Sequence, residues 1–124
     1  MSYLDPQTQG LVLGSTWRFQ TAVDATDPGN RNFKLDNVTL ASVTNIYVSS
    51  ISNNRGDLDN ILAFLTSGDQ IYAQQVGDSA RVALFTVGTP VDNTGWWTIP
   101  VTVVDSDTLM ASNAETILLM NFGG

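Results

Sequence analysis

The chain has 124 residues, 43% apolar and 14% charged, which is enough for one domain with a modest core and too apolar for disorder. Twelve acidic residues against five basic ones give a net charge of −7, which argues against a basic nucleic-acid groove, because neutralising phosphates takes clustered Lys and Arg. Cys and His are both absent, which removes disulfides, thiolate catalysis, Cys-based zinc sites and the commonest general base and metal ligand.

The start, Met1 to Asp5, has neither a basic segment nor an apolar one, so no signal peptide is expected. No apolar run approaches the roughly 20 residues of a membrane helix, so a soluble protein made in a cytoplasm is expected. Residues 1–14 hold Pro6, Gly10 and Gly14 around Leu11-Val12-Leu13 and predict an extended N-terminal arm ordered by a partner. Residues 15–124 predict a single β-rich domain.

Within that domain, Trp17-Arg18-Phe19 alternates as a short strand. Pro28-Gly29 fits a type II turn, with Gly at φ > 0. A strand follows over 32–36 and another over 44–51, with a bulge expected near Ser49-Ser50. Asp57 stands where a helix N-cap belongs, and Leu58, Ile61, Leu62 and Leu65 form one helical stripe before Gly68. The helix is placed at about 57–66. Strands are expected over 70–76, 80–87, 96–104 and 116–122. Pro100 lacks an N–H, which predicts an edge strand or a bulge there, and both faces of the last strand are apolar, which predicts a central one. The fold class is therefore mainly β, a compact antiparallel sandwich or barrel with one short α-helix.

Arg55-Gly56-Asp57 spells an integrin-binding tripeptide but reads as a turn leading to a cap. Asp105-Ser106-Asp107 resembles the start of a calcium loop without the Gly and terminal Glu that such a loop needs. Eleven of the twelve acids are Asp, placed mostly in turns, where Asp bonds the local backbone. No Gly-x-Ser-x-Gly occurs and no His could activate a Ser. No catalytic, cofactor or metal residue is assigned. Trp96-Trp97 places adjacent indoles on opposite faces of a strand, one for the core and one for an interface or a sugar. The interface candidates are Leu11, Val12, Leu13, Trp17 and Trp96.

Asp27-Pro28-Gly29, the run from Phe33 to Ser49, Gly68-Asp69-Gln70-Ile71, the run from Val91 to Val101 and the closing Asn121-Phe122 together resemble a module of tailed-bacteriophage virion proteins. The resemblance covers about residues 15–122. It implies a structural protein without catalytic residues, commonly a trimer, residing in the virion after assembly in the host cytoplasm. Such modules often follow a collagen-like stalk. Here a short arm precedes the module, which favours a capsid decoration or cement protein bound to the major capsid protein or another virion protein. The alternative is a tail-fibre or receptor-binding component that contacts host glycans through Trp96, Tyr72 or the 88–95 loop. A carboxylate-based glycan hydrolase ranks last. Nucleic acid and membrane are not expected partners.

Overall fold

The computed structural model describes residues 11–54 and 56–122. In chain order the elements are β1 (Leu11–Gln20), β2 (Asn32–Leu35), a 3-10 turn (Leu40–Ser42), β3 (Asn45–Ser49), α1 (Asp59–Leu62), β4 (Gln70–Gln75), β5 (Val82–Val87), β6 (Val91–Asp92), β7 (Trp96–Ser106) and β8 (Glu115–Phe122). The sheet runs β3-β2-β1-β8-β4-β5-β7, and β3 pairs with β7, so seven strands close into a barrel. The expected fold class holds, and closure selects the barrel over the sandwich. The two-residue β6 adds to β7 outside that ring.

Alternation drives the closure. Ala83, Phe85 and Val87 of β5, Trp97, Ile99 and Val101 of β7, and Leu118, Met120 and Phe122 of β8 point inward and are buried. Trp17, Phe33, Leu35, Ile46, Ile71 and Ile99 are at most 2% exposed, so the interior is filled with side chains and holds no channel. Phe19 and Phe33 meet across β1 and β2 with ring centroids 5.4 Å apart. β8 lies between β1 and β4, the expected central position.

Three sequence expectations change. First, Leu11 to Gly14 belong to β1, in register with Phe122 to Leu119 of β8, while residues 1–10 of the expected arm lie outside the described residues. The Leu-Val-Leu triplet is too short to form an element alone but extends a strand already anchored by Trp17 and Phe19. Second, β1 and β2 pair parallel, the one parallel pair in the barrel, through Arg18↔Asn32, Phe19↔Phe33 and Gln20↔Lys34. The 21–31 connection must loop back along the strands to make that pairing. Third, α1 spans only Asp59–Leu62 and its N-cap position is Leu58, which has no side-chain cap. Asp57 instead takes the Asp59 N–H at 2.9 Å and bridges to Ile51. Gly68, at φ 99, does not stop the helix but donates to Val87 O as β4 begins. The stripe itself docks as expected, with Leu62 and Leu65 buried and Leu58 and Ile61 packed on the core.

β2 covers only the end of β1, which leaves a seam between the first half of β1 and β3. Asn53 and Asn54 fill it: Asn53 N–H donates to Thr16 O at 2.7 Å, and Ser15 Oγ donates to Asn54 Oδ1 at 2.7 Å. The Trp17 indole N–H spans to Ser49 O at 3.0 Å. Pro100 lies in an interior strand of the sheet. Its carbonyl accepts from Gly88 N, so its missing N–H faces the β5–β6 junction. There the register advances from Val87↔Val101 to Val91↔Thr98, four residues against three, and the bulge absorbs the lost donor.

This packing sets a direct expectation. Trp17→Ala lowers unfolding free energy by about 3–5 kcal/mol, whereas Thr102→Ala, on the outward side of β7, changes it by less than about 0.5 kcal/mol. Urea unfolding followed by fluorescence measures both, and equal losses would contradict the inward placement of Trp17.

Candidate interaction surface

The sequence candidates do not converge on one site. Trp17 is wholly enclosed and serves the core and the seam, so its expected interface role is withdrawn. An aromatic flanking a charge on a strand satisfies either role, and only the pairing decides. Val12 is half exposed, Leu13 packs against the core, and Leu11 opens β1. Trp97 is the buried indole and donates to Asp59 Oδ1 at 3.0 Å. Trp96 is half-buried, edge-on to Tyr47 with centroids 6.2 Å apart. Arg55 of the tripeptide lies outside the described residues.

A different surface emerges from the register. On the outer wall of β1, β8, β4 and β5, aligned rows read Val12–Asn121–Gln70–Thr86, Gly14–Leu119–Tyr72–Leu84 and Thr16–Ile117–Gln74–Val82. None of these twelve residues carries a side-chain charge at neutral pH, in a chain whose net charge is −7. Val12, Tyr72, Val76 and Val104 supply half of the eight large apolar side chains most exposed in the described residues. Gly14 leaves room for Leu119, whose Cδ1 lies 2.7 Å from where a Cβ would stand. Ordinary alternation would place polar groups on such a face, so its aliphatic content is a signal of contact.

At the β7 margin a second bulge intervenes. Leu84 faces Asp105 while Phe85 faces Val103, so Val104 is extra and stands 54% exposed. The bulge brings Asp105, Ser106 and Asp107 beside Tyr72, Val82 and Leu84 around an open hollow of about 410 Å³. A smaller hollow of about 330 Å³ is lined by Asp57, Asp59 and Asp92 with Ser50, Ile51 and Thr94. Asp59 Oδ1 there accepts from Ser50 Oγ and Trp97 Nε1. Among the described residues no three potential ligands gather as a metal site.

The aspartates serve the backbone. Asp27, Asp36, Asp57, Asp69, Asp78 and Asp92 each accept a backbone N–H at 2.8–3.1 Å. Lys34 points outward yet is only 4% exposed, because the returning 21–31 connection covers it. Its ammonium donates to Asp24 Oδ1 at 3.1 Å and Thr26 Oγ1 at 2.7 Å, 6.0 Å from the centre of the Tyr47 ring. Hydrogen bonds from Thr26 and Lys34 hold the Asp24 carboxyl below the usual range. Burial pushes Asp36 up, but bonds from Thr44 and Asn45 outweigh it and the net shift is downward. Burial, with Asp36 and Asp24 adding to it, raises the Tyr47 phenol.

No family model, curated protein or solved structure matches the chain.

The lowered carboxyls give a pH dependence with a defined sign. Their ionised forms bond better in the folded chain, so the stabilisation is full above the ordinary carboxylate pKa of about 4 and disappears as pH falls through the lower folded values. Amide protection in residues 21–31, referred to the intrinsic exchange rate at each pH, is expected to be high at neutral pH and to fall at strongly acidic pH. Lys34→Met lowers that protection at neutral pH too. Equal protection in all three cases would exclude the Lys34–Asp24 clamp.

Proposed function

We propose that this protein is a non-enzymatic structural protein of a tailed-bacteriophage virion, and most specifically a capsid decoration or cement protein. The observation that carries the reading is the filled barrel, whose described aspartates are engaged in local bonds. A barrel packed to its axis offers its outer surface for binding, and a protein that works by surface contact fits assembly better than turnover. The virion setting rests on the resemblance of residues 15–122 to phage structural modules. The partner under this reading is the major capsid protein or another virion protein, and the chain assembles onto particles in the host cytoplasm.

Immunogold labelling of purified particles tests the location, with label expected over the head. Removal of residues 1–10 leaves β1 intact and is expected to lower the copies bound per particle. Absence of the protein from purified particles would overturn the reading.

One observation favours a second reading, that of a tail component contacting host glycans. Tyr72 stands 37% exposed beside Asp105 and Asp107 at the larger hollow. An aromatic face beside carboxylate acceptors suits a sugar ring with its hydroxyls. Under this reading, label lies over the tail, and binding on a glycan array falls at least tenfold with Tyr72→Ala. Trp96→Ala has the smaller effect, because Tyr47 already covers part of that indole.

A further inference from the structure

We propose that the open edge of β1 at Val12 and Gly14 holds an extended, uncharged peptide segment of a second protein as an added strand. The inference supplies a mode of attachment for a partner and does not depend on the virion setting.

Alternation within β1 decides which backbone groups are free. Phe19 N–H donates to Ala114 O at 3.0 Å, on the β8 side, while Arg18 N–H donates to Arg31 O at 2.8 Å, on the β2 side. Bonding direction alternates along a strand, so the odd-numbered residues from Leu11 to Phe19 bond toward β8 and the even-numbered ones turn away from it. Thr16 O accepts from Asn53 N–H at 2.7 Å, and Thr16 N–H donates to Asn54 Oδ1 at 3.2 Å. Asn53 and Asn54 thus stand in for one residue of a neighbouring strand. Beyond them the line of partners ends. Among the described residues nothing bonds the N–H or C=O of Val12 and Gly14, although β1 keeps unbroken register with β8 down to Leu11.

A closed barrel leaves few such edges, and those that remain are ordinarily guarded. The later part of β7 also runs past β3, after Asn45↔Pro100, but there a bulge and Asp105 interrupt it. The start of β1 has no bulge, and no proline or charged side chain from Leu11 to Trp17.

The same features define the occupant. One donor and one acceptor on each of Val12 and Gly14, at a spacing of alternate residues, match the main chain of an extended peptide laid antiparallel. Alternate side chains of that peptide lie beside Val12, which is 49% exposed, and beside Gly14, where they continue two uncharged rows of the outer wall. Uncharged β-branched residues fit such a pleated, half-covered surface. A second copy of the chain would bring another −7 to the edge, so a different protein is the better source of the strand.

Nuclear magnetic resonance on the isotope-labelled full chain is the test, with an end-capped hexapeptide of alternating Val and Thr as the probe at millimolar concentration. The Val12 and Gly14 amide signals are expected to shift and their exchange to slow by about tenfold. Methylating the peptide's backbone nitrogens abolishes both effects. Val12→Pro removes a free N–H and no bond to β8, so the β circular dichroism spectrum persists while binding is lost, and Val12→Thr keeps the N–H and the binding. If Val12→Pro does not fold, the methylated peptide decides alone. No shift at Val12 and Gly14, or equal binding by the methylated peptide or by folded Val12→Pro, overturns the proposal. So does protection of both amides before any peptide is added, which would mean that the chain's own residues or a second copy already hold the edge. Labelling of particles reads the virion assignment separately, and a failed titration leaves that assignment standing.

Discussion

The pairing of β3 with β7 is the contact on which the fold depends. Five consecutive pairs, from Asn45↔Pro100 to Ser49↔Trp96, join segments about fifty residues apart in sequence and turn an open sheet into a ring. Without it, Ile46, Val48, Trp97 and Ile99 would line two raw edges of a twisted sheet and expose both backbone and aliphatic surface. With it, those four side chains meet at the barrel axis. Closure brings a long-range entropic cost, since the chain must travel through α1 and three strands before the pairing forms. The compensation comes from the filled interior, where each additional inward residue is removed from water on all sides.

Closure also explains the irregular pieces. A seven-stranded ring with one short parallel strand is not covered by regular pairing alone, and Asn53 and Asn54 complete the wall beside Thr16. The Trp17 indole belongs to this repair, since its N–H reaches a Ser49 carbonyl on the far side of the seam. Two irregularities interrupt the edge of β7 that faces β5 and β6. One accommodates the proline at position 100, and the other leaves Val104 unpaired between Val103, opposite Phe85, and Asp105, opposite Leu84.

Elements with a clean two-residue period are legible in the sequence: β5, β7 and β8 read as strands, and Trp97, Ile99, Val101 and Val103 group on one face, although the period alone leaves open which face is buried. The stripe of Leu58, Ile61, Leu62 and Leu65 was also legible, although the helical hydrogen bonding shrinks to one turn because the core contacts, more than the helix, hold those residues. Pairing partners were not legible. Period two sorts residues into two faces and says nothing about which strand lies alongside, so the parallel β1–β2 pair and the β3–β7 closure were hidden. Lys34 was hidden for a related reason. Its charge reads as exposed, and only the return path of the 21–31 connection makes it buried.

The surface was the least legible part, and the cause is specific. Leu119, Leu84 and Tyr72 are far apart in sequence, and each alone is an ordinary outward residue of a strand. Their significance lies in sharing one row across three strands, which depends on register at single-residue precision. A shift of one residue between β4 and β8 would send Leu119 inward and Leu118 outward. The same register that fills the barrel therefore assembles the neutral face, and the two cannot vary independently. Hydrophobic closure fixes the alignment, and that alignment leaves a strip of uncharged side chains on the outside of an acidic protein. Charge returns only at its ends, with Arg18 opposite Glu115 beyond the third row and Asp105 opposite Leu84 at the β7 margin, because the pairing that aligns the aliphatic rows places those positions last.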